Sequence, residues 1–129
     1  MNMELIVLKG GSNVGKTATI NYVYNELIKR NWKEVVPYTE IDKGDFWAVL
    51  KKNEIRLGIV SQGDYVGGSN SVKNHLNRLE KQSCSKVICA QTNSKTSLQK
   101  VIDGYNNIPI EMNSIREINQ KVEEILALV

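Results

Sequence analysis

The stretch whose reading decides the fold is Met3–Arg30, MELIVLKGGSNVGKTATINYVYNELIKR. An apolar run from Met3 to Leu8 stops at Lys9, and Gly10 to Thr17 spell GGSNVGKT. Ile20, Val23, Leu27 and Ile28 then recur at helical spacing as far as about Arg30. Gly10, Gly15, Lys16 and Thr17 satisfy G-x-x-x-x-G-K-[ST] between a strand pattern and a helix pattern. In that context the spacing builds a loop for phosphate.

The residue types follow from the task. Small residues let successive backbone N–H groups turn inward as a nest for phosphate oxygens. Gly10 and Gly15 stand where a side chain would most obstruct the turn. A helix starting near Lys16 aims its positive dipole end at the anion. The spacing therefore assigns phosphate contact to Gly10, Gly11, Ser12, Asn13, Val14, Gly15, Lys16, Thr17 and Ala18. Lys16 reaches the outer phosphates and is the first catalytic candidate, while the Thr17 hydroxyl is a ligand for Mg²⁺. Average composition makes a chance match, a mere glycine-rich turn, on the order of one in a few hundred for a chain this long.

Residues 3–30 resemble the P-loop NTPase superfamily. The segment Asn13-Val14-Gly15-Lys16-Thr17 looks most like the loop of translation-factor-related GTPases. Lys9-Gly10-Gly11 superficially resembles the loop of ParA-type ATPases, but that family places its signature lysine where this chain has Gly11, and the likeness fails there. The resemblance implies a three-layer α/β/α fold and a bound nucleoside triphosphate with Mg²⁺.

Composition sets the frame. The 129 residues, 41% apolar and 24% charged, fit one soluble domain spanning 1–129. A net charge of +3 from scattered basic residues indicates neither a nucleic-acid nor a membrane partner. A protein partner is possible but unidentified. Cys84 and Cys89 form neither a disulfide framework nor a zinc signature, so they read as reduced structural thiols. No run approaches the roughly 18 apolar residues of a membrane helix, and no signal-peptide pattern opens the chain. A cytoplasmic protein is the expectation.

Beyond Arg30, Glu34–Glu40 reads as a short strand that Pro37 places at an edge. Asp42–Asp45 is a charged turn, and Phe46–Lys51 with Ile55–Ser61 form an antiparallel hairpin across Lys52-Asn53-Glu54. Gln62–Asn70 is a polar loop before a helix to about Gln82 with Val72, Leu76 and Leu79 inward. Lys86–Gln91 is a buried parallel strand. Thr96-x-x-Gln99 and Ser114-x-x-Glu117 are capping boxes opening two further helices around a strand at Ile108–Met112. The last helix carries an Ile115, Ile118, Val122, Ile125 stripe. The expected fold is α/β, a mostly parallel sheet with helices on both faces and an antiparallel hairpin edge.

Hydrolysis or transfer requires a carboxylate for Mg²⁺ and a group that positions the nucleophile. The strand Ile55–Val60 is where a Walker B aspartate would end, but it runs into Ser61-Gln62-Gly63-Asp64. Asp64 becomes the metal-shell and catalytic candidate, acting through water, and Gln62 the candidate for orienting an attacking water. Gln91, Thr92 and Asn93 offer neutral hydrogen bonds at the next strand end. Thr39, the hairpin and Ser61-Gln62-Gly63 are laid out like GTPase switch regions. However, Ser61 replaces the expected aspartate and no Asn-Lys-x-Asp follows Gln91. Guanine selectivity is unsupported, and ATP is the default over GTP.

Two alternatives stay open. Glu40, Asp42 or Asp45 could serve as the base of a small-molecule or nucleotide kinase. Such a kinase would have to rely on Lys95 or Arg78, because no arginine-rich lid is present. Alternatively, the protein is a non-catalytic switch or interaction module. His75 has no catalytic partner at a recognisable spacing. Trp32, Trp47 and the tyrosines are too scattered for a nucleic-acid stacking platform.

Overall fold

The computed structural model describes residues 3–42, 44–62, 71–92 and 96–129. The elements run β1 (Glu4–Gly10), α1 (Lys16–Lys29), β2 (Lys33–Asp42), β3 (Asp45–Lys52), β4 (Ile55–Val60), α2 (Val72–Lys81), β5 (Lys86–Thr92), α3 (Thr96–Asp103), β6 (Asn106–Glu111) and α4 (Ile118–Leu126). A short 3₁₀ turn, Ile115–Glu117, leads into α4.

The six strands form one mixed sheet in the order β2-β3-β4-β5-β1-β6. β4, β5, β1 and β6 are mutually parallel neighbours, and β3 pairs antiparallel with both β2 and β4. The expected hairpin across Asn53 is present. The strand running against the rest is not the edge, however: β3 is flanked, and β2 takes the edge. Register slips between β2 and β3 break up that edge on either side of Pro37.

Alternation along the strands separates two cores. Ile6 and Leu8 of β1 face one side, with Ile20, Val23, Tyr24 and Leu27 of α1 and Ile125 of α4. Leu5 and Val7 face the other, with Val72, Leu76 and Leu79 of α2 and Leu98 and Ile102 of α3. Helices therefore cover both faces, α1 with α4 and α2 with α3. The sequence pattern misplaces two residues. Ile28 is partly exposed while Tyr24 is buried in its stead, and Ile115 projects outward as 64% exposed.

α1 leaves the carboxyl end of β1 toward one face of the sheet, and α3 leaves that of its neighbour β5 toward the other, which opens a crevice between them. In open α/β sheets that crevice is where ligands bind. The loop Gly10–Thr17 occupies it.

Candidate functional site

The strand-to-helix turn is built from glycines for steric reasons. A Cβ on Gly10 would lie 2.5 Å from the Met112 carbonyl oxygen and 2.9 Å from Val14 Cγ2. Gly15, the residue before α1, has φ +99°, which favours glycine, and Asn13 has φ 63°. No side chain caps α1 at Gly15, so the helix opens on its own backbone N–H groups. Thr19 reinforces the first turn through its hydroxyl, which donates to the Gly15 carbonyl at 2.8 Å.

The Lys16 ammonium lies across the loop. It donates to the carbonyls of Gly10 at 3.0 Å and Gly11 at 2.6 Å. Ser12, Asn13, Gly15, Lys16, Thr17 and Ala18 line a cavity of about 480 Å³. Its far wall is Asp45 and Ser61, and Ile115 stands at its rim. Thus most of the loop residues singled out from the sequence do share one cavity.

The opposite wall holds a carboxylate that sequence reading placed elsewhere. The Thr17 hydroxyl donates to Asp45 Oδ1 at 3.0 Å, and the Ser61 hydroxyl donates to the same oxygen at 3.0 Å. Ser61 Oγ in turn accepts the Phe46 N–H at 2.9 Å. Ser61 is almost wholly buried, so its orientation is fixed from both sides. Asp64, the expected metal-shell residue, lies outside the described residues. A regularity in the sequence could have flagged this wall: Ile59 faces α1 and Val60 faces α2, so period two returns residue 61 to the α1 side.

The same alternation carries Gln62 away. Its side chain is buried, and its Oε1 is 2.9 Å from His75 Nε2 on α2. His75 is buried there, and Arg78 lies over the Trp47 ring at 4.8 Å. Gln62 is thus not among the residues lining the cavity.

Gln91 also turns to the α3 side, like Val87 and Cys89 before it. Its amide donates to Gln99 Oε1 at 2.6 Å, and Lys9 donates to that oxygen at 3.2 Å. Gln99 donates onward to Asp103, and its oxygen accepts from the sheet, while the Thr96 side chain of the expected capping box lies outside the described residues. Gln91 Oε1 is buried with no partner among the described residues. Asn93 lies outside them. Ser114 and Glu117 do form the expected capping box.

The donor set suits a phosphate ester with a hard divalent cation. Among the described residues, no group of three or more His, Cys, Asp and Glu side chains surrounds a metal position. Mg²⁺ at phosphate sites needs only one or two protein carboxylates, the rest being phosphate and water oxygens. The glycine cradle, Lys16, the Thr17 hydroxyl and the Asp45 carboxylate fit such a group. No helix among the described residues is long and apolar enough to cross a membrane. Comparison with models of protein families, with curated protein sequences and with solved structures returned no match.

Proposed function

We propose that this protein is a P-loop nucleotide-binding protein that takes a nucleoside triphosphate with Mg²⁺, ATP in preference to GTP, and hydrolyses it slowly in the cytoplasm. The observation that carries the reading is the loop itself. GGSNVGKT sits between β1 and α1, with glycines where Cβ atoms would collide or where φ is positive, and opens into a cavity lined by Lys16 and Thr17. Backbone N–H groups at the start of α1 receive the phosphates. Lys16 exchanges its two carbonyl partners for phosphate oxygens and neutralises their charge. The Thr17 hydroxyl supplies one metal ligand. A bound Mg²⁺ would supply positive charge that neutralises the phosphates.

Ile115 supports a ligand with an organic portion, because this exposed isoleucine borders the cavity that Lys16 and Thr17 line. Phosphate alone gives no reason for an apolar rim.

The burial of Gln62 against His75 favours a second reading, a switch module whose loaded form persists. With Gln62 held there, orientation of water falls to other groups, and turnover is slow. The kinase alternative rests on the same cavity, with Asp45 as its acidic candidate.

Calorimetric titration of Mg-ATP into the wild type and Lys16→Ala tests the proposal. Micromolar binding that falls at least tenfold in the variant, with unchanged circular dichroism, is the expected result. Equal affinities would overturn it. Labelled γ-phosphate released as free phosphate, and not transferred to an added acceptor, separates hydrolase from kinase.

A further inference from the structure

We infer that Asp45, at the start of β3, is the carboxylate that holds the divalent cation, and that Ser61 is its positioning residue. The inference rests on the nucleotide-binding reading above and assigns the metal position within it. Three oxygens from three elements converge: Thr17 Oγ1 from α1, Asp45 Oδ1 from β3 and Ser61 Oγ from the end of β4. All three residues line the same cavity as Lys16.

The spacing suits a small hard cation. Octahedral Mg²⁺ holds oxygen ligands at about 2.0–2.1 Å, which puts two adjacent ligands roughly 2.9 Å apart. Thr17 Oγ1 and Asp45 Oδ1 are 3.0 Å apart, so their hydrogen bond spans the edge such an ion would occupy. A bound cation would take the place of the Thr17 O–H···Asp45 hydrogen bond, with Thr17 Oγ1 and Asp45 as its protein ligands and Ser61 still donating to the carboxylate.

The departure at Ser61 then has a physical reason. An aspartate there, ending β4, would place a second carboxylate against Asp45, and like charges at that range disfavour each other. A serine donates to Asp45 instead and is fixed by the Phe46 N–H. The carboxylate thus stands on the adjacent antiparallel strand, and the hydroxyl at the end of β4.

Titrations of ATP with and without Mg²⁺, together with Mn²⁺ binding followed by electron paramagnetic resonance in the presence of ATP, test the assignment. The proteins are the wild type, Asp45→Asn, Ser61→Ala and Asp64→Asn. Asp45→Asn is expected to keep metal-free ATP binding and lose the metal-dependent gain, with Mn²⁺ affinity falling roughly 10- to 100-fold. Ser61→Ala falls less, and Asp64→Asn tests the competing carboxylate. A full metal-dependent gain in Asp45→Asn, or its loss in Asp64→Asn alone, overturns the assignment while nucleotide binding stands. Absence of ATP binding by the wild type, with or without metal, overturns the nucleotide reading and this inference with it. Retained metal-free binding in Asp45→Asn doubles as the check that the variant is folded.

Discussion

Gly10 and Met112 are held back to back where β1 ends beside β6. The Met112 N–H donates to the Lys9 carbonyl at 2.7 Å, and the Met112 carbonyl oxygen lies 2.5 Å from the place a Gly10 Cβ would occupy. The nearest obstacle is backbone, which cannot yield as the end of a flexible side chain would. Gly10→Ala is therefore expected to destabilise the protein by about 1–3 kcal/mol, the usual cost of overpacking. Gly11→Ala meets nothing within 4 Å and should be far milder. Urea unfolding of the two variants checks the contrast, and equal midpoints would rule the contact out as a constraint.

Ile115 gives a prediction that separates the two halves of the ligand. If its exposed side chain carries the organic portion, Ile115→Ser should weaken Mg-ATP binding several-fold while leaving Mg-triphosphate binding unchanged. The burial of one such side chain is worth about 1.5–3 kcal/mol at most, which bounds the effect. Competition of ATP and inorganic triphosphate against a fluorescent nucleotide reads it directly. A parallel loss for both ligands would mean that Ile115 acts through Gly15, whose missing Cβ it closely approaches at 3.2 Å.

The thiols predict an alkaline limit to stability. Burial pushes Cys89 up to about 12 and Cys84 to about 11, from 9.0 in the unfolded chain. Burial, with an accepting Glu34 or Glu80 carboxylate, likewise raises Tyr24 and Tyr105 to about 12. A group whose folded value is raised keeps its proton in the folded state while the unfolded chain gives its proton up. Stability is thus fully present below about pH 9 and falls as pH rises toward about 12. Each such group contributes a slope of about 1.4 kcal/mol per pH unit inside its window. Denaturant unfolding at pH 8, 9 and 10 under reducing conditions should show the decline, and Cys89→Ala should flatten it. The same burial makes both thiols inert to disulfide reagents until the protein opens.

Much of the scaffold was legible because its signals are local. The loop residues and the Ser114–Glu117 capping box are written within a few positions, and the strand runs carry their own β-rich patterns. Asp45 was legible only as a turn residue and a candidate base. Its role depends on the β3–β4 ladder, where Trp47 pairs with Val60, bringing residue 45 beside residue 61 across 16 positions of chain. No periodicity encodes that pairing of side chains. Gln62 and Ile115 were misjudged for the opposite reason. Each fits a local pattern, a loop glutamine or a helical stripe, but strand alternation turns Gln62 inward to His75, and the 3₁₀ turn swings Ile115 out to the cavity rim.

Charge at the end of β4 supplies the last prediction. Ser61 Oγ is 3.0 Å from Asp45 Oδ1, in a buried position where a negative group cannot be hydrated. Ser61→Asp should therefore lower the unfolding temperature at neutral pH, because two carboxylates at that separation cannot both ionise without cost. Exchanging the pair, as D45S/S61D, removes the repulsion and returns the carboxylate to the strand end. The double variant should be more stable than Ser61→Asp alone, with a coupling of about 0.5–3 kcal/mol between the two sites. Added Mg²⁺ should raise the unfolding temperature of Ser61→Asp more than that of the wild type, since a cation at this wall screens the pair. Thermal unfolding of the wild type, Asp45→Ser, Ser61→Asp and D45S/S61D in a Mg²⁺ series reads both effects. Additive changes in the double variant would mean that residues 45 and 61 do not sense each other's charge.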